Sequence, residues 1–133
     1  MADTVTSQTI QDGGRTAILK FTNESDGTGE SSVKKVDVSA LATDSDGNSC
    51  TAVTISRIYW ACRGMGVDIE FDASTNVLAI PLPADSTGDE YYDLFTGIPN
   101  NAGSGKTGDI DFTTVGHSDG DAYSIILVLT KHF

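Results

Sequence analysis

Four stretches of this 133-residue chain place chemically competent side chains close together. Asn100-Asn101-Ala102-Gly103-Ser104-Gly105-Lys106-Thr107 ends like a phosphate-binding loop. Such a loop needs glycine where Asn100 stands, and it must open a helix whose N-terminus holds the phosphates. Here Gly108-Asp109-Ile110-Asp111-Phe112 follows, a strand pattern, so the run reads as a flexible connection. Asp44-Ser45-Asp46-Gly47-Asn48 begins like an EF-hand calcium loop. Its sixth and twelfth positions are Ser49 and Ile55 in place of the glycine and the bidentate acid. A hairpin turn is the plain reading; a casual calcium site on its three oxygen-bearing side chains is the alternative. His117-Ser118-Asp119-Gly120-Asp121 offers an imidazole and two carboxylates, the donors of a facial metal triad. They sit on a turn, however, and His132 is the only other histidine. No metal or cofactor site is expected from these runs.

The fourth stretch carries recognition chemistry. Arg57, Tyr59, Trp60 and Arg63 fall within one strand-like segment, and the chain has only three arginines. Tyr91, Tyr92 and Phe95 form a second aromatic cluster in an acidic, loop-like stretch. Trp, Tyr and Arg dominate binding hot spots, so both clusters are candidate protein-interface residues; a core Trp with rim arginines and a loop flap over the sandwich end are the alternatives. Fifteen aspartates make acid–base pairs easy to draw and therefore uninformative. No Ser/His/Asp set, Cys/His pair or nucleophile elbow stands out. The reading is a non-enzyme.

The elements that must position these residues read as strands. Arg15 to Asn23, Val33 to Ala40, Thr51 to Arg63, Gly66 to Asp72, Val77 to Leu82, Ile110 to Val115 and Ala122 to Lys131 are period-two or β-branched runs. Ser25-Asp26-Gly27, Ser45-Asp46-Gly47-Asn48 and Ser118-Asp119-Gly120-Asp121 supply the turns between them. Gly66–Asp72 and Val77–Leu82 should form a hairpin. The one weak helical candidate is Asp89 to Phe95. In Thr51–Arg63 the apolar face changes parity near Ser56-Arg57, which fits either a β-bulge or a strand buried on both faces. Ala122–Leu129 is apolar on both faces, which favours a central strand over one half-committed to a subunit interface. The fold expected is all-β, an antiparallel β-sandwich or jelly-roll-like barrel of about seven to nine strands. Its core should hold Leu19, Phe21, Val36, Val38, Ile58, Trp60, Val67, Ile69, Phe71, Leu78, Ile80, Phe112, Ile125 and Leu127.

Residues 1–10 are polar and alternate Thr/Ser with Val5 and Ile10. They read as an N-terminal arm on a single domain spanning 11–133, with Thr4, Val5, Thr6 and Ile10 as interface candidates that add a strand to a neighbour. The net charge of −11 argues against nucleic acid as a partner. The opening lacks the basic start and apolar centre of a secretory signal, and no apolar run approaches the ~20 residues that span a bilayer. A soluble protein made in a cytoplasm, with no membrane partner, is expected. Cys50 and Cys62 lie about 40 Å apart if they share one extended strand, and they read as reduced, buried thiols.

Ala2–Ile10, Lys20-Phe21-Thr22-Asn23, Lys35–Leu41, Ile55–Trp60, Gly105–Asp109 and Tyr123–Leu127 together resemble a family of small virion-associated proteins from tailed bacteriophages of aquatic bacteria. The resemblance runs over nearly the whole chain and brings no catalytic residues. It implies a virion location and a capsid decoration or cement role. The implied partners are the major capsid protein and sister copies in a homotrimer or other symmetric oligomer. A tail or neck adaptor is the alternative within that resemblance. A small carbohydrate- or calcium-binding module is the alternative outside it, with Trp60 or Tyr91 and Tyr92 as a sugar platform.

Overall fold

The period-two runs pair into two sheets in a computed structural model of the chain, which describes residues 3–92 and 97–133. Among these residues the strands are β1 (Thr4–Asp12), β2 (Thr16–Glu24), β3 (Val33–Val36), β4 (Ala52–Arg63), β5 (Gly66–Phe71), β6 (Val77–Leu82), β7 (Thr87–Tyr91), β8 (Ile110–Val115) and β9 (Ala122–His132). A single 3₁₀ turn, Val38–Ala40, follows β3. One sheet runs β1-β2-β9-β4-β7 and the other β3-β8-β5-β6, and every strand pair is antiparallel. The chain changes sheet at each connection except the β1–β2 and β5–β6 hairpins. From β2 to β9 this is the strand order of an eight-stranded jelly roll, with β1 added at one edge. The all-β sandwich expectation is met.

The inward alternates of both sheets form the core. Phe21, Ile55, Ile58, Ile69, Phe71, Ile110, Phe112, Ile125, Leu127 and Leu129 are fully buried. Phe112 of β8 stands edge-on to Phe21 of β2 at 5.4 Å and to Tyr123 of β9 at 5.8 Å, joining the sheets through aromatic contacts. The parity change in β4 is a bulge: its register on β9 shifts between Ile55 and Arg57, with Ser56 the extra residue. That step lets Val53 and Ile55 share the inward face with Ile58 and Cys62. β9 is the central strand of its sheet. Gly27, Gly47 and Gly120 occupy positive φ in the three Asp-Gly turns. Both cysteines are free and buried, and burial raises both thiols above their ordinary range.

Several expectations are corrected. The arm expected over residues 1–10 is, over its described part, a strand of the domain: Thr4 to Asp12 pair with β2 of the same chain, from Thr4 opposite Glu24 to Asp12 opposite Ala17. The Gly13-Gly14 turn returns the chain directly, so one edge of this segment is paired within its own chain. The strand placed over Val33–Ala40 ends at Val36. Asp37 then accepts from the Ser39 amide and caps the 3₁₀ turn, a bond a strand could not make. Asp89 to Tyr91 are strand, not helix, because they complete the ladder on β4. Leu78 is 49% exposed. A register shift between Ile69 and Glu70 turns it outward, opposite Glu70. Trp60 and Ile80 pack against the core but are only partly buried.

Candidate functional site

Downstream of its bulge, β4 directs Arg57 and Tyr59 to the outward face of the five-stranded sheet and Ile58 to the core. β7 lies alongside with Tyr91 opposite Arg57 and Asp89 opposite Tyr59. The register therefore builds a four-residue cluster that neither strand contains alone. The Arg57 guanidinium lies 4.6 Å from the centre of the Tyr59 ring and 5.3 Å from that of Tyr91. Its Nε and Nη2 donate to the two carboxylate oxygens of Asp89 at 3.1 and 2.9 Å, a bidentate fork. That bond holds the Asp89 carboxyl below its ordinary range and raises Arg57 further. Tyr91 remains 62% exposed. The cluster is open to solvent, yet its geometry is fixed before any partner arrives.

Two rows run from it across the sheet. Arg57 stands opposite Val128, and Val128 opposite Ile18; Tyr59 stands opposite Ile126, and Ile126 opposite Lys20. Ile18, Ile126 and Val128 are half-buried. The result is an apolar strip with an aromatic–cationic end. It can bind a surface by contact area and directed hydrogen bonds, and it presents no nucleophile with an adjoining base.

The other sequence candidates separate. Trp60 points to the inward side of β4 and donates its indole N–H to Ser86 Oγ at 3.0 Å. Gly88 stands opposite it because a Cβ there would meet the indole ring at 2.3 Å. Arg63 lies six residues from Arg57, about 20 Å along an extended strand, and donates to the Gly120 carbonyl at 3.0 Å. Tyr92 is half-buried against the core, its amide bonded to Ser56 O at the bulge. Phe95 lies outside the described residues. Thr4 and Thr6 are on the outward side of β1, where the Thr6 and Thr22 hydroxyls bond to each other. Val5 is on the inward side, and Ile10 is the extra residue of a β1 bulge; both are about half exposed. Sequence reasoning passed over Asp89. Its signal was the alternation Asp89-x-Tyr91, hidden by the helical reading.

Two polar clusters also escaped the sequence. Inside the sandwich, Glu30 accepts from Tyr123 Oη at 2.6 Å and Asn23 Nδ2 at 2.9 Å, and pairs with Lys35 at 2.5 Å. Burial and the Glu30 carboxylate push the Tyr123 hydroxyl well above its ordinary range. This cluster fixes the loop between β2 and β3. On the outer face of the second sheet, Asp111 is 3% exposed and its Oδ1 lacks a partner. Burial, then its hydrogen bond with Asp72, push Asp111 up to about 6, the Asp72 and Glu70 charges adding to the rise. Asn76 Nδ2 bonds Asp111 Oδ2 at 3.0 Å and reaches Glu70 Oε1 at 3.5 Å, filling the space between the carboxylates.

The metal and phosphate motifs close on themselves. Asp44 Oδ1 accepts from the amides of Asp46 and Asn48, completing a turn. His117 Nδ1 bonds Thr114 Oγ1 at 3.0 Å. The Gly-Ser loop docks on Asp72 through Thr107. Among the described residues there is no group of three or more His, Cys, Asp or Glu that could hold a metal ion, and no helix is long and apolar enough to cross a membrane.

No family model matches the chain, and no curated protein matches it. Among solved structures it is similar to variants of a family 29 carbohydrate-binding module, studied for the mechanism of ligand recognition. One has 11% identity and a TM-score of 0.42, covering 94% of this chain and 91% of the other. Another has 10% identity and the same TM-score, covering 96% and 92%.

Proposed function

We propose that this chain is a structural, non-catalytic binding protein of a virus particle, a decoration or cement protein on a tailed-phage capsid. The observation that carries the reading is the outward face of the five-stranded sheet. In a chain of net charge −11, it assembles half-buried Arg57 and Tyr59 and exposed Tyr91 into one cluster beside the apolar strip of Ile18, Ile126 and Val128. Aromatic and arginine anchors supply most of the energy at protein interfaces, and a pre-set guanidinium loses little freedom on binding. The sequence resemblance supports the choice of capsid as partner. The jelly-roll order fits as well, since viral capsid and lectin domains use it, but a fold does not select a function. A protein that binds the assembled shell and not its separated subunits stabilises the shell by mass action.

Mass spectrometry of purified particles from the encoding phage should find the chain at capsid-like copy number, with Tyr59→Ala and Tyr91→Ala reducing its retention. Absence from the particle overturns the reading, and a copy number of a few moves it to the tail or neck. A second reading uses the same face: two tyrosine rings flanking one guanidinium, with a carboxylate alongside, can stack a sugar ring and bond its hydroxyls. Calorimetric binding of a neutral polysaccharide that is lost in Tyr59→Ala would establish carbohydrate as the ligand.

A further inference from the structure

The open edges of the two sheets are not alike. β3 is four residues long, carries Lys34 and Lys35, and breaks register between Lys34 and Val36. β6 contains Pro81, which has no N–H to offer. β7 carries Asp89 and Glu90, and Glu90 stands opposite the inward-facing Ile58. Short length, lysines, proline and inward charge are the devices that stop a sheet edge from pairing with another chain. β1 is nine residues long, and all but Asp12 are exposed. Its bulge at Ile10 leaves Thr4–Thr9 straight, with no charge, proline or glycine in that run. One side of this run pairs with β2; the other meets no strand among the described residues.

We propose that β1 pairs antiparallel with β1 of a second copy across a two-fold axis, joining the two five-stranded sheets into one continuous sheet. The occupant follows from charge. Copies carrying −11 each repel, and Thr4–Thr9 is a stretch where two of them can meet without opposing like charges. A two-fold axis normal to the sheet keeps outward residues opposite outward ones. Thr6 therefore faces the partner's Thr6 or the partner's Gln8, and Val5 faces the partner's Ser7 or the partner's Thr9. Threonine pairs of this kind favour the ladder. The flanking acids are already committed within their own chain: Asp12 to Lys131, and Asp3 to Asn23, Ser25 and the Gly29 amide. Pairing of β1 with another copy's β3, β6 or β7 is blocked by the devices those edges carry. The contact therefore closes as a dimer and does not propagate as a fibre. Beneath β1, Ser7 and Thr9 line a groove of about 180 Å³ floored by Leu19 and Phe21, so the inward side of the joint has room for side chains from both copies. This pairing is independent of the function proposed above, which concerns the sheet face.

Analytical ultracentrifugation of the full chain from micromolar to millimolar concentration should show a monomer–dimer equilibrium that tightens with added salt, as screening removes the repulsion. Thr6→Lys combined with Gln8→Lys should raise the dissociation constant by about tenfold or more, while Ser124→Lys, on the same sheet face but in a central strand, does not raise it. Hydrogen exchange of the unaltered chain should show alternate β1 amides gaining protection as the dimer forms. A monomer at every concentration, a trimer, a fibre, or a dimer indifferent to the β1 lysines overturns the proposal. If the double variant fails to fold, hydrogen exchange decides, and β1 amides that stay unprotected at high concentration refute it.

Discussion

Arg57 and Asp111 show how one side chain's surroundings decide what it can do. Arg57 is held by a carboxylate and two rings yet remains open to solvent, so it is available for recognition. Asp111 is enclosed, and its behaviour is a matter of pH. Burial and the neighbouring Asp72 raise its folded-state value to about 6, against an ordinary 3.8. Between those values the folded chain holds a proton that the unfolded chain releases. Stability contributed by this group is therefore present at low pH and is lost as pH rises from about 4 to about 6. Asp72 runs the other way: the Thr107 hydroxyl, and then Asp111, lower it, so its contribution is lost as pH falls. Asp111→Asn should remove the decline between pH 4 and 6 and raise stability at neutral pH, read from urea midpoints across that range. A variant whose midpoint falls with pH as the unaltered chain's does would contradict this account.

At the scale of strands, the bulges set the faces. Ser56 in β4 keeps Ile55 and Ile58 on one side and so releases Arg57 and Tyr59 to the other. The register shift in β6 exposes Leu78, while Leu82 stays buried opposite Val67. The apolar alternation of β6, Leu78, Ile80 and Leu82, was legible, but the shift was not, because it is fixed by pairing with β5. Leu78→Thr should therefore alter stability by no more than about 0.5 kcal/mol. Leu82→Thr should cost about 2–4 kcal/mol, since it removes buried methyl groups and adds a hydroxyl without a partner. Denaturant titrations of the two variants compare them directly, and equal losses would return Leu78 to the core.

For the whole molecule, Phe112 is the joint. It belongs to the four-stranded sheet and touches Phe21 and Tyr123 of the five-stranded one. Phe112→Ala should cost about 3–5 kcal/mol. Because the chain changes sheet at most connections, neither sheet can open alone. Near- and far-ultraviolet circular dichroism should report one shared transition in the unaltered chain and in the variant. Two separated transitions would mean that the sheets unfold independently.

The sequence by itself determined that this is a β protein, where seven of its strands run and which turns separate them. Those properties are local: side-chain alternation follows from the two-residue period of a strand, and Asp-Gly turns from glycine's access to positive φ. It also showed the parity break at Ser56-Arg57, since a face change is visible wherever apolar residues switch between odd and even positions. Tertiary structure alone decided that β2 lies beside β9 and β4 beside β7. Those pairings join segments far apart in sequence, and only the burial of both inward faces selects them. The tyrosines of the site were noticed in two separate clusters, and Trp60 was read both as an interface anchor and as a core residue until the structure turned it inward. The register of β7 on β4 brought Tyr91 and Asp89 to Arg57 and Tyr59. The same dependence gave β1 its place: its polar pattern reads as a frayed arm until a partner strand is known, and the Gly13-Gly14 turn supplied that partner from within the chain.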